Sequence, residues 1–124
     1  MTNSRRVVVT GIGLVSSLGI GTDANWAALS AGRSGVETIT KFDASQFATQ
    51  IAGEVRGFDP LHYIDKKDVK KMDVFIQYAI AASQFAMDDS KLSITESNAN
   101  DIGVFIGSGI GGLARRPFTN SASR

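Results

Sequence analysis

The sequence contains 124 residues, of which 43% are hydrophobic, so it describes one ordinary globular domain or a piece of a larger one. Thirteen Lys and Arg against twelve Asp and Glu leave a formal charge of +1, and this balance favours neither nucleic acid nor a membrane as partner. The absence of cysteine excludes a disulfide frame, a thiolate metal site and a cysteine nucleophile within these residues, and the single histidine excludes a site built from two.

The first residues predict neither a signal peptide nor a membrane anchor. Residues 1–6 (MTNSRR) lead only into a short apolar run that is rich in glycine, and no apolar stretch reaches the ~18 residues that a membrane span needs. We therefore expect a soluble cytoplasmic protein without a metal site.

Two apolar runs near the ends of the chain each lead into glycines, and they predict a pair of buried strands. The first is residues 6–13 (RVVVTGIG) and the second is residues 101–107 (DIGVFIG), rich in the Val, Ile and Phe that suit a strand covered on both faces. Because helical sequence separates them, a crossover connection would make them parallel. Their glycine ends would then share the edge where open α/β sheets bind ligands.

These glycines leave a dinucleotide-binding domain open as an alternative. In the first run, Ser16 stands where the third small residue of the dinucleotide fingerprint should be. The second run satisfies the pattern at Gly107, Gly109 and Gly112, but residues 114–124 contain no acid to bind a ribose and soon meet a proline. The patterns therefore favour this alternative only weakly.

The segment after the first strand predicts a buried loop and then a helix. Residues 14–21 (LVSSLGIG) are apolar and small, unlike most surface loops. Thr22 or Asp23 can cap the helix that follows, and Gly32 closes it. We expect Trp26 on this helix to anchor the core.

The middle of the chain predicts short elements and no obvious catalytic group. Residues 36–39 and 50–55 indicate two strands, the second half-exposed, with a turn or short helix at 42–47 between them. His62 follows a proline turn, where a lone histidine is typical of a surface position and not of a general base.

A long helix is predicted from an N-cap at Asp65 to about Asp88. From Met72 onward, apolar residues occupy nearly all sides of it, which indicates a helix packed between layers. Its first turns carry four lysines, although a helix N-terminus favours negative charge. These are Lys66, Lys67, Lys70 and Lys71. One interpretation is a solvated face neutralised by neighbouring aspartates; the other is a docking surface for an acidic partner.

Three separated motifs closely resemble the amino-terminal part of type II β-ketoacyl-acyl-carrier-protein synthases. They are VVVTGIGLVSSLG, KKMDVFIQYAIAASQFAMDDS and IGVFIGSGIGGL, within a match from about residue 5 to residue 113. The resemblance implies an α/β chain with a partial thiolase-like fold, namely the amino-terminal portion of the first α/β half. A mixed, mostly parallel sheet with packed helices would form it, in a homodimer.

The resemblance also implies the chemistry. Family members condense an acyl group held on a cysteine with malonyl-acyl carrier protein, release carbon dioxide and need no cofactor. The cysteine, two histidines and a lysine that do this have no counterpart in this sequence, so no catalytic residue is assigned. We expect the chain to be inactive alone, and a non-catalytic module that docks acyl carrier protein remains a further alternative.

Two sites follow from the resemblance. Ile110, within GSGIGG, matches an isoleucine that lines the acyl-chain pocket near the dimer interface. Lys67, Lys70 and Lys71 match the basic face that receives the acidic acyl carrier protein, and Lys66 extends it. The family portion is expected at residues 1–113, and residues 114–124, which are basic and rich in serine, are expected to form a disordered tail outside the family pattern.

Overall fold

The computed structural model describes residues 4–112 of the chain. The predicted tail at 114–124 lies outside them. The helices and strands of the described part, in chain order, are β1 Val15–Ser16, β2 Gly19–Ile20, α1 Thr22–Ser30, β3 Val36–Thr38, β4 Ile51–Gly53, α2 Lys66–Val69 and α3 Val74–Ser90. Two 3-10 turns, Pro60–His62 and Ala99–Asp101, complete the set. None of the helices between residues 4 and 112 has the length and apolar character that a membrane span requires.

Helix α3 is the element around which the amino-terminal segment packs. A Cβ atom on Gly13 would overlap the carbonyl oxygen of Ala82, and one on Gly11 would overlap that of Ala86. The Ile12 N–H between them donates to Asp89 Oδ2 at 2.8 Å. Close approach to the α3 backbone therefore explains why these two positions are glycine.

The strands pair only as two short antiparallel hairpins in the described residues. In the first, Val15 pairs with Ile20 around a two-residue turn. In the second, β3 pairs with β4, which confirms the strands predicted at 36–39 and 50–55. Residues 42–47 between them form a turn, as predicted.

The predicted parallel pair is not formed within residues 4–112. Residues 6–13 and 102–107 contain no strand, although Thr10, Gly11 and residues 102–106 line one cavity of about 400 Å³ beside α3. Val7 is 91% exposed and Phe105 is 100% exposed. Parallel strands are stable when both of their faces are covered, and no layer among the described residues covers these side chains.

The long helix predicted from Asp65 onward is two helices, because the chain turns at Asp73. That residue is extended, with φ −77° and ψ 159°, and its Oδ1 accepts the Val74 N–H at 2.7 Å to cap α3. The Gln77 side chain holds the break by donating to the Met72 carbonyl at 3.1 Å. An aspartate just before an apolar run is thus an N-cap and not a helix-interior residue.

Helix α1 also departs from the prediction at its start. Its N-cap is Gly21, with φ +87°, while the Thr22 hydroxyl donates to the Ile12 carbonyl at 3.0 Å. Gly32, with φ +65°, follows its end as predicted. The expectation that Trp26 anchors the core is wrong, since its side chain is 67% exposed. The preceding loop at 14–21 is half-buried, apart from an exposed Leu14.

Candidate functional site

Residues 65–71 form the lysine segment, which comprises helix α2 and the residues on either side of it. Its four lysines are all exposed. Lys67 Nζ lies 3.8 Å from Asp65 Oδ2, and Lys71 Nζ lies 2.7 Å from Asp68 Oδ1. The structure therefore brings together all four lysines predicted for docking, with two aspartates placed among them.

The break before α3 changes the electrostatics predicted for this segment. Asp65 is the N-cap of α2 but makes no side-chain cap hydrogen bond, so it pairs with a lysine instead. Asp73, one of the neighbouring aspartates, instead accepts the Val74 N–H through Oδ1. Exposed ion pairs of this kind contribute only about 0 to 1 kcal/mol each. The segment therefore exposes its lysines to solvent, and the ion pairs with its own aspartates hold them only weakly.

A groove runs along α3. Its volume is about 490 Å³, and its lining is mainly apolar: Val15, Phe75, Ile76, Tyr78, Ala79, Ile80, Ala82, Ile106, Gly107 and Ser108. The prediction that this half of the helix is packed between layers does not hold within residues 4–112, because Phe75 is 39% exposed. Ile110 is not among the lining residues, and its side chain is 80% exposed.

The glycine-rich segment meets the start of α3 just beyond Ile110. A Cβ atom on Gly111 would lie 2.9 Å from Phe75 Cζ, and one on Gly112 would lie 3.5 Å from Asp73 Oδ2. Both glycines have positive φ values, +53° and +65°. Ile110 is thus placed at the edge of a tight turn beside the groove.

No catalytic constellation is formed by the described residues. His62 lies in an exposed 3-10 turn with its ring 6.1 Å from that of Tyr63. Ser108 lines the α3 groove, and no histidine lines it with this serine. Residues 4–112 also contain no group of three His, Cys, Asp or Glu side chains that could hold a metal ion.

Glu54 is a buried carboxylate that sequence reasoning missed. Its Oε2 accepts the Thr40 hydroxyl at 2.6 Å, and its Oε1 accepts the N–H groups of Thr40 and Lys41 at 3.1 and 3.2 Å. These hydrogen bonds, the hydroxyl of Thr40 above all, hold the pKa of Glu54 below its usual value. Glu54 therefore fastens the end of β4 to the chain leaving β3.

The glycine pattern does not build a nucleotide site in the described residues. Gly11 and Gly13 are used for packing on α3, and the stretch from Gly107 to Gly112 opens no helix within the described chain. A dinucleotide pyrophosphate binds at the helix N-terminus that follows such glycines. The observed use of the first glycine run therefore gives the dinucleotide alternative no support.

Comparison with known proteins assigns the class to which this arrangement belongs. A family model described as the N-terminal domain of beta-ketoacyl synthase matches residues 4–123. Because the match covers nearly the whole sequence, the chain belongs to the β-ketoacyl synthase family. This confirms the resemblance carried by the three motifs.

Particular relatives narrow the comparison. The 3-oxoacyl-[acyl-carrier-protein] synthase 2 of Coxiella burnetii is 56% identical over 109 residues, which cover 88% of this chain and 26% of the relative. The enzyme of the same name from Vibrio harveyi is 55% identical over 111 residues, covering 90% of this chain and 27% of its own. The chain thus spans about a quarter of the length of these relatives.

A solved structure also supports this family assignment at the level of the fold. The ishigamide ketosynthase/chain length factor superposes with a TM-score of 0.65 and 44% identity, covering 72% of this chain and 22% of that one. The described residues therefore adopt a part of the thiolase-like ketosynthase fold. They do so with two antiparallel hairpins and three helices.

Proposed function

We propose that this chain serves as the amino-terminal part of a type II β-ketoacyl-acyl-carrier-protein synthase, in the condensation that elongates fatty acids. The observation that carries the proposal is 55–56% identity, over about nine-tenths of the chain, to two relatives named 3-oxoacyl-[acyl-carrier-protein] synthase 2. In this reaction malonyl-acyl carrier protein loses carbon dioxide, and the carbon that carried it attacks the carbonyl of the thioester-bound acyl group. The required cysteine would come from outside these 124 residues, which contain none.

The lysine segment is the proposed docking surface for acyl carrier protein. Four exposed cations lie on one short helix and its flanks; Lys67 pairs with the exposed Asp65, and Lys71 pairs with the partly buried Asp68. An acidic partner can displace such weak local ion pairs, and its attraction to the lysines mainly raises the association rate. Cytoplasmic location is part of the same proposal, because the carrier-bound substrates would have to reach this surface.

Ile110 is the proposed lining residue of the acyl pocket, completed by residues that lie outside the described chain. Its exposed side chain stands beside the apolar groove of α3 and is free to contact a further layer. The same layer would cover residues 6–13 and 101–107 and allow them to pair in a mostly parallel sheet, within a homodimer. The boundary between a family portion at 1–113 and a separate tail stays a proposal.

A completed chain tests the function directly. Residues 1–112 would replace the matching stretch of the Coxiella relative, and the hybrid would be assayed for carbon dioxide release and ketoacyl product from acyl- and malonyl-carrier protein. We expect condensation by the hybrid. A folded, dimeric hybrid without condensation would refute the proposed function, and the parent Coxiella enzyme is the positive control.

The 124-residue chain alone separates the remaining alternatives. We expect it to give neither carbon dioxide nor ketoacyl product, since its sequence has no cysteine and one histidine. Either product above a no-protein control would contradict this expectation. Binding of carrier protein by the isolated chain would favour a docking module, and a rise in melting temperature with nicotinamide dinucleotide would revive the dinucleotide alternative.

A further inference from the structure

Asp73 uses its two carboxylate oxygens differently, and only one use is explained by capping. Oδ1 accepts the Val74 N–H at 2.7 Å and so begins α3. Oδ2 is buried and has no hydrogen-bond donor among the described residues. A buried acceptor left without a donor is costly, so native structures rarely keep one without a reason.

Two successive glycines, Gly111 and Gly112, pass close to this oxygen, and we call them the Gly111–Gly112 turn. A Cβ atom on Gly112 would lie 3.5 Å from Asp73 Oδ2. Gly111 and Gly112 both lie in the left-handed region, where only glycine fits without strain. Gly111 also contacts the Phe75 ring so closely that a Cβ would stand 2.9 Å from Cζ. Two successive residues of the turn therefore meet two residues at the start of α3.

We propose that Asp73 is a positioning residue for the glycine-rich segment. Its Oδ1 caps α3, and its Oδ2 accepts a backbone N–H of the Gly111–Gly112 turn after a small shift of that turn toward it. The bond fixes the turn against Phe75 and thereby sets where Ile110 stands relative to the α3 groove. The effect on Ile110 rests on the proposed function, whereas the bond itself does not.

Substitutions can separate the two oxygens because several residues cap equally well. Ser and Asn are N-caps as good as Asp. Asp73→Ser keeps a cap oxygen but removes the second acceptor, and Asp73→Asn keeps the cap while placing an NH₂ donor where Oδ2 was. Asp59→Ser is the matched control, since Asp59 is also an N-cap, whose Oδ1 accepts the Leu61 N–H at 2.9 Å, and it lies outside the lysine segment.

Amide hydrogen exchange of the 124-residue chain is the first measurement. In both Asp73 variants we expect the Gly111 and Gly112 amides to exchange about threefold to tenfold faster than in the parent, which is the loss expected for one hydrogen bond. The α3 amides should change by less than about twofold, because the cap is retained. Asp59→Ser should leave the glycine amides unchanged.

Two results would overturn the proposal. One is unchanged exchange of the glycine amides in both Asp73 variants. The other is equal acceleration in α3, which would show that Asp73 only caps the helix. Neither result bears on carrier-protein docking or condensation, so this proposal and the proposed function fail separately.

A second measurement applies if α3 is already unprotected in the isolated chain. The same variants, in the hybrid with the Coxiella relative, would be assayed for kcat/KM with short and long acyl groups. We expect the ratio of the two values to shift by at least about threefold in Asp73→Ser and Asp73→Asn, a loss of the size expected for one hydrogen bond. The ratio should not shift in Asp59→Ser. Lower stability alone reduces both rates equally, so an unchanged ratio refutes the positioning role.

Discussion

Reversing the charge of the lysine segment is the most informative test of the docking surface. Lys67, Lys70 and Lys71 would be changed together to Glu in the hybrid enzyme. All three side chains are exposed. The variant should bind acyl carrier protein more weakly, and it should lose association rate more than it gains dissociation rate.

The size of the effect follows from how weakly these charges are held. Lys67 and Lys71 each have an aspartate partner within 4 Å, but in water such pairs are worth about 0 to 1 kcal/mol. A carrier-protein contact at each of three sites, taken as about 0.5 kcal/mol, sums to roughly 1.5 kcal/mol, and repulsion after reversal doubles it. Affinity at low salt should therefore fall on the order of a hundredfold.

The assay is carrier-protein affinity at low and high ionic strength. Because the Debye length falls from about 10 Å at 0.1 M salt to about 3 Å at 1 M, high salt should erase most of the difference. A control with Arg5, Arg33 and Arg6 changed to Glu carries the same change in net charge on exposed cations elsewhere. Its affinity should stay near the parent value.

A neutral variant sharpens the interpretation. Changing the same three lysines to Gln removes the attraction to the carrier protein without adding repulsion. The loss of binding free energy should therefore be about half of that in the Glu variant. Thioesters that lack the carrier should be used as before by both variants. If the Glu variant binds like the parent at low salt, the lysine segment is a solvated face and the docking proposal is refuted.

Further predictions concern the pocket, the β3–β4 hairpin and the packing of the amino-terminal segment. Ile110→Phe in the hybrid should shorten the acyl chains accepted, since overfilling a packed pocket costs about 1 to 3 kcal/mol; equal acylation by short and long substrates would remove Ile110 from the pocket. Acidification should loosen the hairpin, because Glu54 has a lowered folded-state pKa. Its stabilisation is present above the unfolded pKa and is lost as pH falls through the folded value. Glu54→Gln should abolish that acid sensitivity in the hydrogen-exchange protection factors of β3 and β4, which are corrected for the intrinsic pH dependence of exchange. A fall in protection at low pH that persists in the variant would count against the clamp. Gly13→Ala should lower the free energy of unfolding of the 124-residue chain, measured by urea titration, by about 1 to 3 kcal/mol or more, whereas Gly107→Ala, with no heavy atom within 4 Å of its Cβ position, should not; similar free energies for the two variants would show that Gly13 does not pack on α3.

Local sequence patterns predicted local structure well. They predicted poorly which residues, distant in sequence, pack over one another. Alternation of apolar and polar residues located β3 and β4, and Gly32 was recognised as a helix end, because both depend on neighbours in sequence. The apolar runs at 6–13 and 101–107 also mark real features, since both lie along α3. The proposed pairing of the two runs would need a covering layer, and sequence alone does not say which residues supply it.

The errors at Trp26 and Asp73 have separate physical causes. Large aromatic residues are usually buried, but burial of Trp26 needs a partner surface that residues 4–112 do not provide. Asp73 carried a readable signal, because an aspartate before an apolar run is a common N-cap. The apolar pattern on both sides of it outweighed that signal. The Glu54 hydrogen bonds had no signal, since their donors lie 13 and 14 residues away in sequence.

The turn at Asp73 also resolves why lysines gather where a helix should repel them. In one continuous helix, four cations would occupy the first turns of a long macrodipole, at a cost of about 0.3 to 1 kcal/mol each. The structure instead places them on and around the four-residue helix α2, whose dipole is small, with Asp65 and Asp68 beside Lys67 and Lys71. The long dipole of α3 begins only at Asp73, whose carboxylate faces its N-terminus with the favourable sign. The fold therefore tolerates these exposed cations at little cost in free energy of unfolding. A function for their charge is not needed to explain why the fold is stable with them. What the fold does not explain is their number within six residues, and that crowding is the feature that the carrier-protein experiment addresses.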